Sequence, residues 1–203
     1  MLDITIEKRA KKRLMKQISQ ALGVGEDSAE TYDVLRKAVN ETAKQVRKQL
    51  AATAQETYAV KNAGFNKAMK IKNATRSSLT AIVSSKSPAL ELINFKTNPT
   101  KVNSNPPEVV KAKVLQKNQL KALEKDGIKA FIVKFASGHT AIAERVGKER
   151  LPIKTLYSRG VAAMLGDEKR VYGIIEPKIR DMLQEQVYKA IDKQIAKAAK
   201  KAG

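Results

Sequence analysis

The chain contains one histidine, His139, and no cysteine. An imidazole working as a general acid or base needs a carboxylate or hydroxyl to orient it, within a cleft that holds a substrate. His139 precedes Thr140 at an expected hairpin turn, where no carboxylate or serine stands beside it in a recognisable catalytic arrangement. That place suits an exposed or hydrogen-bonded structural histidine. Without cysteine there is no thiolate nucleophile, no disulfide framework and no Cys-based zinc site, and a single histidine excludes a multi-His centre. Hydrolysis by paired carboxylates would need two acids in one cleft. The acids lie instead on helical faces opposite cations, as in Glu41–Lys44 and Glu185–Lys189, the pattern of a solvated surface. No phosphate-cradling G-x-x-x-x-G-K-[ST] or G-x-G-x-x-G run occurs, and a nuclease would lack its acidic metal cluster. The sequence reads as a non-enzyme, with no catalytic residue, no metal and no cofactor.

The strongest chemical signal is charge. Forty Lys and Arg stand against twenty Asp and Glu, a formal net charge of +20. Such an excess opposes compaction unless a polyanion or an acidic partner neutralises part of it. Lys outnumbers Arg, and only 4% of residues are aromatic. Base stacking and Arg readout of base edges are therefore disfavoured, and any DNA contact would be non-specific and made to the phosphate backbone. Between Tyr58 and Pro107 the one acid is Glu91. Residues 61–76, KNAGFNKAMKIKNATR, concentrate Lys61, Lys67, Lys70, Lys72 and Arg76. They read as a basic arm facing DNA or a partner, with docking on a neighbouring subunit favoured over a plain charged connector. A membrane anchor would need a broader apolar face. No apolar run approaches the roughly 20 residues of a membrane span, and the charges of MLDITIEKRAKKRLMK follow its apolar stretch, the wrong order for a signal peptide. The expectation is a soluble protein made in the cytoplasm, without membrane contact.

The elements follow from periodicity. Leu2, Ile4 and Ile6 alternate as a short strand. Ala10, Leu14, Ile18 and Leu22 mark one helical face, with Lys8, Arg9, Lys11, Lys12, Arg13 and Lys16 opposite, and Gly23 and Gly25 closing the helix. Asp27 or Ser28 caps the longest helix, about 29–59, whose stripe is Tyr32, Leu35, Val39, Ala43, Val46, Leu50 and Ala54. At 1.5 Å per residue it is on the order of 45 Å long. Leu79–Val83 reads as a strand, with Leu90–Phe95 its hairpin partner, and 97–107 as an exposed Pro/Asn loop. Further strands are expected at Val110–Val114, Lys129–Ala136, His139–Val146 and Leu151–Tyr157, with 116–125 weakly helical or a loop. From Val171 the chain is helical, its stripe Ile179, Leu183, Val187, Ile191 and Ile195.

The sum is an α+β fold: a long N-terminal helix and a C-terminal helix packed on an antiparallel sheet of four to five strands, with a basic arm. At 203 residues and 42% hydrophobic content the chain is expected to be a single domain with an aliphatic, Ala-rich core. Its parts are an N-terminal strand and helices (1–59), the basic arm and exposed loop (60–109), the sheet core (110–166) and the C-terminal helix (167–203).

Two runs are similar to a known family. KIKNATRSSLTAIVSSKSPALELINF, residues 70–95, and more closely AFIVKFASGHTAIAERVGKERLPIKTLYSRGVAAML, residues 130–165, resemble the phage minor tail protein Z family. The second run carries an apolar strand, Ser137-Gly138-His139, Arg145, Gly147-Lys148 and Arg150-Leu151-Pro152-Ile153-Lys154 in order. The resemblance implies a structural virion protein of long-tailed bacteriophages, a tail completion protein. It would act at the head-proximal end, in the neck, where tail joins head and the DNA end is positioned, and would be made in the host cytoplasm. It implies no enzymatic activity. His139, Arg145, Lys148 and Arg150 are then turn or interface residues. The expected partners are copies of the chain in a ring, with six-fold multiplicity matching a tail, together with other tail and neck proteins and, non-specifically, phage DNA. The alternative is a free DNA-binding or escort protein contacting the phosphate backbone.

Overall fold

The computed structural model describes residues 2–4, 8–62, 64–102 and 108–202. Ile6 and residues 103–107 of the expected 97–107 loop lie outside them. The chain is α+β. In order it forms β1 (Leu2–Ile4), α1 (Lys8–Leu22), α2 (Ala29–Thr57), β2 (Met69–Lys72), β3 (Ala81–Ser85), β4 (Leu90–Glu91), β5 (Lys96–Asn98), β6 (Lys111–Lys113), β7 (Lys121–Ala122), β8 (Glu124–Lys125) and β9 (Ile128–Lys129). It continues with β10 (Phe131–Lys134), β11 (Thr140–Arg145), β12 (Ile153–Thr155), β13 (Tyr157–Ser158), α3 (Val161–Leu165), α4 (Tyr172–Ile175) and α5 (Ile179–Ala202). These elements divide into two compact units. One comprises Met1–Ala51, Met69–Ser85 and Tyr172–Gly203, the other Ala52–Ala68 and Lys86–Val171.

The first unit is built on amphipathic helices. Leu14, Met15 and Ile18 of α1 are buried, as are Val34, Leu35, Ala38, Val39, Ala43, Val46 and Leu50 of α2, at the three-to-four spacing that gathers one helical face. Ser28 caps α2: its hydroxyl accepts from Thr31 N at 3.1 Å, while Thr31 Oγ1 donates to Gly25 O. Two amide pairs fix α5. Gln184 Nε2 donates to Gln17 Oε1 of α1, and Gln186 Nε2 to Gln45 Oε1 of α2, both at 3.0 Å. Met182, Val187 and Ile191 form the buried side of α5, whereas Ile195 is exposed. The apolar stripe therefore ends one turn earlier than its four-residue spacing suggests, because a strict period of four drifts around a 3.6-residue helix.

The sheet of this unit is three-stranded and antiparallel, in the order β1-β3-β2. This differs from the expected pairing of 79–83 with 90–95. Both edges of β3 are filled by β1 and β2, so no edge is left for a following strand. Asn40 ties the β2–β3 connection to α2. Its side chain accepts from Ala74 N at 2.7 Å and donates to Ala74 O at 3.3 Å, giving that backbone the partners a strand would.

The second unit holds β10-β11-β12, β5-β6-β7, and the pairs β13-β4 and β8-β9, all antiparallel. The expected single sheet of four to five strands is thus replaced, among the described residues, by sheets of two and three strands. Segment 116–125, read as weakly helical or a loop, supplies β7 and β8. Its polar residues carry no helical stripe, and Asp126-Gly127, both at positive φ, fold β8 back on β9. In β11, Ala141, Ile142 and Ala143 are all buried, so this strand is covered on both faces. Phe95 is fully buried and bridges to Val60.

The polar anchor of this unit is Asp167. Its Oδ2 accepts from Tyr58 OH, Arg159 Nη1 and Arg170 Nη1, each at 3.0 Å, while Oδ1 accepts from Lys169 N. Burial pushes the carboxyl up in pKa. The hydrogen bonds from Tyr58, Arg170 and the Lys169 amide outweigh that, and it lies below the usual carboxylate range. Burial, then the bond to Asp167, pushes the Tyr58 phenol up to about 12. Nearby, Gly160 passes so close to Pro88 that an added Cβ would stand 2.0 Å from Pro88 O, and Ser87 Oγ accepts from Ala162 N at the start of α3.

Two predictions follow from these contacts. Asp167→Ala removes one acceptor from three side-chain donors and lowers unfolding free energy by about 3 kcal/mol, whereas Tyr58→Phe costs about 1 kcal/mol, measured by urea denaturation. Gly160→Ala meets backbone rather than a flexible side chain, and its Tm falls by more than that of Gly147→Ala, where the space is open.

Candidate partner and nucleic-acid interface

β11 separates His139 from the cations read with it as turn or interface residues. Antiparallel pairing with β10 and β12 holds it straight between two turns, placing His139 before one end and Arg145, Lys148 and Arg150 at the other. Six residues at about 3.3 Å each set the two ends roughly 20 Å apart. They are two sites.

At the His139 end, Phe135 N donates to His139 O and Gly138 N to Phe135 O, with Gly138 at φ +84 turning the chain. The imidazole stacks on Phe135 and places Nε2 3.0 and 3.2 Å from the two carboxylate oxygens of Glu91. A carboxylate oxygen accepts, so this contact is made by the tautomer with a proton on Nε2. Sequence reasoning found no acid beside His139 because Glu91 arrives from β4, forty-eight residues away in the chain. The pair is surface-exposed, with His139 52% exposed, and His139 N is the group that meets Ser137 Oγ. That arrangement joins the ends of two strands.

At the other end, Val146 N donates to Pro152 O and closes a loop. Arg145, Lys148 and Arg150 are all exposed on it, beside Val146 (55% exposed) and Leu151 (67% exposed). Behind the loop, Lys154 is paired with Glu144 at 2.9 Å. The tip therefore offers two aliphatic side chains framed by three cations and Glu149, a composition suited to docking on another protein rather than to covalent chemistry.

The five cations of 61–76 do not share one projecting arm. Lys61 Nζ donates to Ile93 O and Thr97 Oγ1, both at 3.2 Å, and burial lowers its pKa. Lys70 and Lys72 stand on β2, exposed and alternating with buried Met69 and half-buried Ile71. Lys67 is exposed in the turn before it. Arg76 is held by Asp33 of α2, with Nε to Oδ1 at 2.7 Å and Nη2 to Oδ2 at 2.5 Å. Apolar Phe65, Met69, Ala74 and Leu79 are buried, and so the segment belongs to the two units rather than extending from them. The basic count was visible in the sequence, but not the engagement of Lys61 and Arg76. Among the described residues no three His, Asp or Glu side chains gather to hold a metal, and no helix is long and apolar enough to cross a membrane.

The Arg76 hydrogen bond, with further help from Arg36, lowers Asp33 from 3.8 to about 2. A carboxyl depressed in the folded state stabilises the fold fully above its ordinary pKa and ceases to do so as pH falls through the folded value. Asp33→Asn is expected to flatten the acid limb of the stability curve between pH 3.8 and about 2, read by thermal melts across that range. A curve superimposable on wild type would deny the pair its role. Set against known proteins, the chain matches no family model, and no curated protein or solved structure matches it significantly.

Proposed function

We propose that this chain is a structural subunit of a long-tailed bacteriophage virion, acting in tail completion at the head-proximal end where tail joins head. The observation that carries this reading is the form taken by residues 130–165, the run that resembles the tail protein family. The run builds β10, β11, β12, β13 and α3 in unbroken succession. Its distinctive residues serve as structure or as surface. Arg159 holds Asp167 and Gly160 permits the approach of Pro88, whereas Arg145, Lys148, Arg150, Val146 and Leu151 stand outward on one loop.

A ring in a tail is closed by head-to-tail contacts, in which each copy presents one surface to a different surface of the next. A protruding loop with aliphatic residues inside a cationic frame is a suitable donor surface for such a contact, or for a neighbouring neck protein. The net charge of +20 suits a position beside packaged DNA. On this reading the protein works by assembly and carries out no reaction.

Antibody-labelled electron micrographs of intact particles test it. Label is expected at the head–tail junction; particles without label would overturn the virion role and favour a free DNA escort. Val146→Asp with Leu151→Asp is expected to leave the fold and its Tm near wild type, since both residues are exposed, while incorporation into particles falls at least about tenfold, as loss of a central apolar contact does. Incorporation at wild-type occupancy would remove the loop from the interface.

A further inference from the structure

The cations of α1 have no acid on their own helix. Helix α1 has six cations between Lys8 and Lys16, and no acid anywhere between Lys8 and Leu22. Arg9, Lys12, Arg13 and Lys16 are exposed and together line one shallow, open concavity. Spaced i, i+3, i+4 and i+7, they fall within a sector of about 100°. Among the described residues none of the four has an ion-pair or side-chain hydrogen-bond partner. Several cations elsewhere are paired. Arg76 and Arg36 meet Asp33, and Arg159 and Arg170 meet Asp167. The groove between α2 and α5 sets Lys37, Lys189, Lys193 and Lys197 around Glu41, with Lys189 also paired to Glu185.

The arrangement is unfavourable for the helix itself. Like charges three and four residues apart repel, and cations in a first turn oppose the helix dipole. An external anion relieves both penalties.

We propose that this face of α1 binds the phosphate backbone of nucleic acid without reading sequence. From Arg9 to Lys16 the helix rises about 10 Å, the axial length over which one strand of duplex presents roughly three phosphates. An anionic membrane is disfavoured because the apolar residues that would enter it, Leu14, Met15 and Ile18, are already buried. An acidic protein would ordinarily find an aromatic or aliphatic anchor at the centre of its contact, and the four lining residues supply only cations. The assignment does not depend on the virion reading. It is tested on the isolated protein, so either can fail alone.

The test is fluorescence anisotropy of the full chain with a labelled DNA duplex of about 30 base pairs and arbitrary sequence, between about 50 and 200 mM salt. The variant Arg9→Gln, Lys12→Gln, Arg13→Gln, Lys16→Gln is expected to bind at least about tenfold more weakly at the low end. Its log–log salt slope should be shallower by about three. Arg9→Lys with Arg13→Lys keeps the charge and should keep the slope. A control of equal charge change, Lys111→Gln, Lys117→Gln, Lys121→Gln, Lys129→Gln, removes exposed lysines elsewhere and should stay near wild type. Thermal melts verify that each variant folds. Equal weakening in the control would reduce the effect to overall charge and overturn the site. So would wild-type protein that ignores duplex at low salt, or that binds polyglutamate but not duplex.

Discussion

Forty cations held in one chain with twenty anions must fold against their own repulsion, and the placement of the few structurally committed acids organises what surrounds them. Asp167 accepts from a phenol and two guanidiniums. Asp33 draws Arg36 and Arg76 together from two segments of one unit. Glu91 reaches the single histidine, and Glu144 pairs with Lys154 across neighbouring strands. Asp167 and Asp33 each receive more than one donor, the condition under which a carboxylate stays charged away from water. Where acids are absent, as along α1, the surface keeps its full positive field.

Periodicity made the helices legible. Ser28 as a cap, the α2 stripe and the close of α1 at Gly23 are local features, set by neighbours within a few residues. The strands between Lys129 and Tyr157 were equally legible because turn residues separate apolar runs. Pairing was not. Nothing in Leu79–Val83 records that β1 and β2 will occupy both its edges, and the segment before its expected partner Leu90–Phe95 sends Ser87 and Pro88 to α3 and Gly160 instead. Short strands of two or three residues, such as β7 and β8, carry too few alternations to announce themselves.

The candidate surfaces follow the same division. Exposed cations were countable from the sequence, and the six on α1 were visible as one face opposite Leu14 and Ile18. What the sequence could not weigh was which cations are already engaged. Lys61 and Arg76 satisfy carbonyl, hydroxyl and carboxylate oxygens, whereas Arg9 and Lys12 face outward. The partner of His139 was hidden for a similar reason: contact order, the separation along the chain of residues that meet in space, is invisible to local spacing.

The amide pairs Gln17–Gln184 and Gln45–Gln186 set the register of α5 against α1 and α2 without any formal charge. Neutral hydrogen bonds are neither titrated near neutral pH nor screened by counter-ions. These two register contacts are thus independent of the charges that the same helices carry. Concentrated electrolyte therefore weakens the ion pairs of this unit, such as Arg76 with Asp33, while leaving the two amide pairs that hold its helices in register.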